Sequence, residues 1–70
     1  MAPEIVVHRP SPTGGRRVTV GHTILGLAHS DADVIEFLRR VGLDSAEDLV
    51  LGDSPLIHWR GGRAHEYEAA

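Results

Sequence analysis

Three consecutive β-formers, Ile5, Val6 and Val7, predict a short strand over Glu4 to His8, ended by Pro10 and Pro12. Arg9 to Gly15 reads as a loop, because its prolines remove donors and its glycines permit positive φ. Alternation resumes over Arg16 to Val20 and again over Thr23 to Ala28, with Gly21-His22 between them as a two-residue type II′ turn. That register puts Val18, Val20, Leu25 and Leu27 on the core side and Arg17, Thr19, Ile24 and Gly26 on the other.

The period then changes to that of a helix. Over Ser30 to Leu43, Val34, Leu38 and Val41 share a stripe that Ile35 and Phe37 widen. Ser30 caps the start, Asp31 and Asp33 suit the positive end of the helix dipole, and Gly42 with Leu43 supplies the stop. Glu36 and Arg40 stand four apart in the favourable order on the outer face. Asp44-Ser45-Ala46-Glu47 resembles a capping box for a second, shorter helix ending at Gly52, with Ala46, Leu49 and Val50 as its apolar side.

After the turn Asp53-Ser54-Pro55, Leu56 to Tyr67 reads as a hairpin around Gly61-Gly62. Its register pairs Arg60 with Arg63, Trp59 with Ala64, His58 with His65 and Ile57 with Glu66, and it puts Trp59 on the core side. The expected fold is therefore α+β: a small antiparallel sheet of about five strands, one main helix and a short second helix on one face, in the order β-β-β-α-α-β-β. Residues 1–70 make one small domain, with 1–3 and 68–70 expected to fray.

Composition narrows the chemistry. With no cysteine, disulfides, thiolate zinc sites and thiol nucleophiles are excluded. The first residues lack the basic and apolar regions of a signal peptide, and no apolar run reaches the ~20 residues of a membrane span, so the expected location is the cytoplasm. A formal charge of −3 makes a nucleic-acid coat an unfavoured reading, since such binding rests on phosphate neutralisation. Protonating the five histidines would reverse the sign of that charge.

Within the expected hairpin, His58 and His65 side by side could supply two metal ligands, with Glu4, Glu66 or Glu68 as a third, or could sense pH. A complete ligand set is not fixed by the sequence, so no metal or cofactor is assigned. Arg60 and Arg63 across the turn, together with Arg16 and Arg17 of the other Gly-Gly-Arg triplet, form a candidate anion clamp, with Trp59 or Tyr67 nearby for stacking. Thr13-Gly14-Gly15-Arg16-Arg17 is not a Walker loop, because it enters a strand and has no lysine. Gly52-Asp53-Ser54 matches the opening of one esterase family in three common turn residues, without the scaffold that a triad requires.

Gly-Gly-Arg-Arg-Val-Thr-Val at 14 to 20, Gly-Leu-Ala-His-Ser-Asp-Ala-Asp-Val-Ile-Glu-Phe-Leu-Arg-Arg at 26 to 40 and Trp-Arg-Gly-Gly at 59 to 62 give the chain a resemblance. It resembles short uncharacterised proteins of high-GC actinobacteria, and the resemblance implies a source but no activity. The expectation is a non-enzymatic interaction or regulatory module with a protein partner, through a sheet edge or the C-terminal hairpin, with a homodimer as a further option. The alternatives are a weak nucleic-acid or anion binder using Arg16, Arg17, Arg60 and Arg63, and a histidine-based metal or pH-sensing site.

Overall fold

The computed structural model describes residues 4–69. Strands β1 (Ile5–Pro10), β2 (Arg16–Val20) and β3 (Thr23–Ala28) form an antiparallel meander. Helices α1 (Asp31–Arg40) and α2 (Ala46–Leu51) then lead to β4 (Ile57–Trp59), which returns to the other side of β1. The sheet order is β3-β2-β1-β4, and β4 runs parallel to β1 with Ile5 opposite Ile57 and Val7 opposite Trp59. The sheet is thus mixed and four-stranded, where the sequence suggested about five antiparallel strands.

The difference lies in the last segment. A type I′ turn needs positive φ at both central residues. Gly61 has φ +71, whereas Gly62 is outside the positive range and His65 has φ +68. The chain therefore leaves β4 and curls back across the sheet's end as an irregular strap, and no strand follows β4 among the described residues. The cross-strand pairs His58 with His65 and Arg60 with Arg63 do not form.

Ile5, Val7, Val18, Ala28, Val34, Leu38, Ala46, Val50 and Ile57 make the core between the helices and one sheet face. The two-residue turn at Gly21-His22 is formed, with Gly21 at φ +59. Beyond it the pairing shifts: Thr19 faces Ile24, but Val18 faces Gly26, leaving Leu25 as the extra residue of a bulge. One inserted residue moves every later side chain to the other face. Ala28 therefore enters the core, while Leu27, expected there, lies opposite Arg17 on the helix-free face at 47% exposure.

Gly26 takes the place vacated on the helix side. A Cβ there would approach the Phe37 ring to 2.8 Å, and φ is +153, so only glycine fits without displacement. Gly26→Val is expected to cost about 1–3 kcal/mol by overpacking against Phe37. Urea unfolding checks this, and a change within error would show that the ring moves away freely.

Helix α1 begins as expected, with the Ser30 hydroxyl accepting from the Asp33 amide. It ends in a Schellman arrangement: the Leu43 amide donates to the Leu38 carbonyl and the Gly42 amide to the Arg39 carbonyl. Val41 becomes the exposed C-cap rather than part of the buried stripe. The Glu36–Arg40 ion pair forms at 3.4 Å, and Arg39 reaches Glu47 to tie the helices together.

Helix α2 corrects its expected caps. Ser45 sits at φ +61 and makes no side-chain capping bond, so the capping box is not built. At the other end Asp53, at φ +52, takes the left-handed position, and the Ser54 amide donates to the Leu49 carbonyl. Gly52 is the C-cap, one residue earlier. No helix among the described residues is long and apolar enough to cross a membrane.

Candidate functional site

Arg16, expected as a surface anion contact, is fully buried. Strand β2 turns its side chain inward beside Val18, and its guanidinium becomes the anchor of the C-terminal strap. Nε donates to the His8 carbonyl at 2.8 Å, and Nη1 donates to the carbonyls of Arg63 (2.9 Å) and Glu66 (3.0 Å). Nη2 donates to the Arg60 carbonyl at 2.6 Å and more weakly to that of Val7 at 3.5 Å. Trp59 lies 5.3 Å from the guanidinium carbon, close enough for a cation–π contact. Burial lowers the pKa of Arg16, yet a guanidinium stays charged in proteins, so carbonyl dipoles rather than a carboxylate hold this cation.

The strap is fastened again at His65. Its Nδ1 meets Asp31 of α1 at 2.8 and 2.9 Å, and its Nε2 meets Asp53 at the end of α2. With a carboxylate at each ring nitrogen, the imidazolium that donates twice is the form the site favours. Asp53 and then Asp31 accordingly raise the pKa of His65 above its ordinary value. The Tyr67 hydroxyl donates to Asp31 at 2.5 Å, and burial with that hydrogen bond pushes its pKa upward. Trp59 packs against both residues, with ring centroids 4.9 Å from His65 and 6.1 Å from Tyr67. This is a latch between strap and helices, with both imidazole nitrogens occupied.

His58 is elsewhere, half-exposed on β4 with Nε2 3.6 Å from Glu4. The side-by-side histidine pair is therefore not formed: His58 lies near Glu4, and His65 meets Asp31 and Asp53. Among the described residues no cluster of three potential ligands is arranged around a metal position.

The remaining arginines separate by role. Arg39 and Arg40 pair with helix carboxylates, and Arg63 is exposed beside Glu66 and Glu68 in a shallow hollow at the strap. Arg17 and Arg60 converge with Arg9 on the helix-free side of the sheet. There, His8, Arg17 and Leu27 with the Pro10-Ser11-Pro12 turn and Arg60-Gly61 line a groove of about 510 Å³. That volume lies within the range of small-ligand and side-chain clefts. No acidic side chain lines it, and among the described residues Arg9 and Arg17 make no ion pair. Arg60 lies 3.9 Å from Glu4.

Gly61 sets this convergence. A Cβ there would fall on the side chain of Arg9, so the absence of a side chain is what lets the strap pass close against β1. The two Gly-Gly-Arg triplets do lie together, with Gly62 against Arg16 and Pro10. Their union is mainly structural, however: Arg16 is spent internally, and Arg9 replaces it at the groove. The alternation Val7-His8-Arg9 gave no sign of this, because a register irregularity between Val7 and Pro10 re-aims the end of β1. Comparisons with protein families, curated proteins and solved structures give no match to this chain.

Proposed function

We propose that this chain is a small non-enzymatic, cytoplasmic binding module that engages a partner protein on the helix-free face of its sheet. The observation that carries this reading is the groove in which Arg9, Arg17 and Arg60 meet Leu27 and two prolines without an acidic side chain among them. Guanidinium groups combined with apolar contact area are the kind of surface enriched at protein interfaces. The adjacent edge strand β3 adds Ile24, 65% exposed, and Leu27 to the same side. Charge is also divided across the molecule, with Asp31, Asp33 and Glu36 on α1 and Glu47 and Asp48 on α2, away from the groove. A net charge of −3 therefore coexists with a locally basic face.

Nucleic acid is the less favoured occupant. Single-strand binding combines a basic track with aromatic platforms. Trp59 and Tyr67 pack into the strap's interior and Phe37 covers Gly26 on the helix side, so none of them is offered to a base at the groove. Comparative affinity capture tests the assignment of the face. A partner retained by the wild type and by Glu36→Ala but lost with Arg17→Glu is expected; a partner lost only with helix-face substitutions would move the interface elsewhere.

A further inference from the structure

Resting on the binding-face reading above, we infer that the groove takes a short acidic segment of another protein, in which an apolar side chain is flanked by carboxylates. Two features select this chemistry. Arg9, Arg17 and Arg60 come from β1, β2 and the start of the strap, so their positive charge surrounds the hollow rather than lying along one strand. Between them, Leu27, Pro10 and Pro12 supply an apolar wall against which an apolar side chain can be desolvated.

Guanidinium forks bind carboxylates through paired, charge-assisted hydrogen bonds, and Arg9 and Arg17 have no such partner among the described residues. Glu4 stands at 3.9 Å from Arg60, a separation at which an incoming carboxylate can displace it. His8 is held to Thr19 at 2.9 Å, which fixes the floor in place. The prolines of the rim carry no amide donors, so the wall itself offers little to a purely polar ligand. An acidic peptide with one buried apolar residue satisfies both halves of the groove; a lone inorganic anion leaves the apolar half uncovered.

Isothermal titration of the full chain with an extended Glu-Leu-Glu-type peptide tests this, with a Lys-Leu-Lys peptide, inorganic phosphate and a short oligothymidylate as parallel probes. Saturable, salt-sensitive binding of the acidic peptide is expected, weakened about tenfold or more by Arg17→Ala and less by Arg17→Lys. Leu27→Ser is expected to weaken it as well, while circular dichroism and Trp59 fluorescence stay native. Failure of the acidic peptide, equal affinity for the basic one, or tighter binding of the oligonucleotide would overturn the inference. So would affinity unchanged by Arg17→Ala. If the peptide fails while Arg17→Glu still abolishes capture of a cellular partner, the ligand class is wrong and the binding face stands. Self-association in sedimentation velocity that Arg17→Glu abolishes would give the groove to a second copy and also overturn it.

Discussion

Arg16→Met is expected to release the C-terminal strap from the folded domain and to lower stability by about 1–3 kcal/mol, the cost of leaving hydrogen-bond acceptors without their donor. The substitution preserves the length and most of the apolar stem of the side chain. It leaves the part-buried carbonyls of His8, Arg60, Arg63 and Glu66 without their shared donor. An acceptor left so costs about 1–3 kcal/mol when buried and less where water reaches it, a large share of the ~3–5 kcal/mol that a core of this size supplies. Arg16→Lys is expected to fall between, because one ammonium cannot reach carbonyls distributed over β1 and both ends of the strap. Hydrogen exchange of the Gly15 amide, which donates to the Tyr67 carbonyl at 2.9 Å, reports strap release directly. Wild-type protection at that amide in Arg16→Met would show that the strap does not depend on the guanidinium.

His65→Asn is expected to cost about 1–2 kcal/mol in acid and progressively less as the pH rises. Asparagine tolerates the left-handed backbone that His65 adopts at φ +68, so the change removes the charge without adding backbone strain. The contact with Asp31 carries most of this figure, because Asp53 is largely exposed and its attraction is screened by solvent. The sign follows from the raised pKa of His65 in the folded protein. Its contribution is fully present below the ordinary histidine value of 6.5 and is lost as pH rises through the higher folded-state value. Urea unfolding of both proteins across that interval should give stability curves that converge toward alkaline pH. Curves that stay parallel would mean that the imidazolium is not what fastens the strap.

Both effects concern a segment whose sequence pattern was legible only in part. Helix α1 could be read nearly to its ends, because Ser30, the Val34 and Leu38 spacing and Gly42 act locally and agree with one another. The meander was legible for the same reason at Gly21-His22. The bulge at Leu25 was not: it goes with the Phe37 ring seated on Gly26, a contact between separate elements that local pattern does not show. Gly-Gly at 61 and 62 carried a strong local preference for a hairpin, and a tertiary demand overrode it. A buried guanidinium needs acceptors, and a chain extended into a fifth strand would have spent its carbonyls on a neighbour instead.

The same override redistributed the candidate site. Arg17 and Arg60 were legible as surface cations; the alternation along β2 that turns Arg17 outward also turns Arg16 inward beside Val18, a signal that grouping both arginines in one surface clamp passed over. Arg9 entered the groove through an irregularity at the end of β1 and through the close passage of Gly61. His65 exchanged an expected partnership with His58 for two carboxylates, one from each helix end. Strap and groove are consequently linked: the segment fastened by Arg16 and His65 also carries Arg60 and Gly61 into the groove wall.

Chemical-shift mapping of the ¹⁵N-labelled chain during titration with the Glu-Leu-Glu-type peptide tests the binding face most directly. Perturbations concentrated at His8, Arg9, Ser11, Arg17, Leu27, Arg60 and Gly61, with α1 and α2 unmoved, are the expected result. Perturbations centred on the helices, or none at saturating peptide, would contradict it.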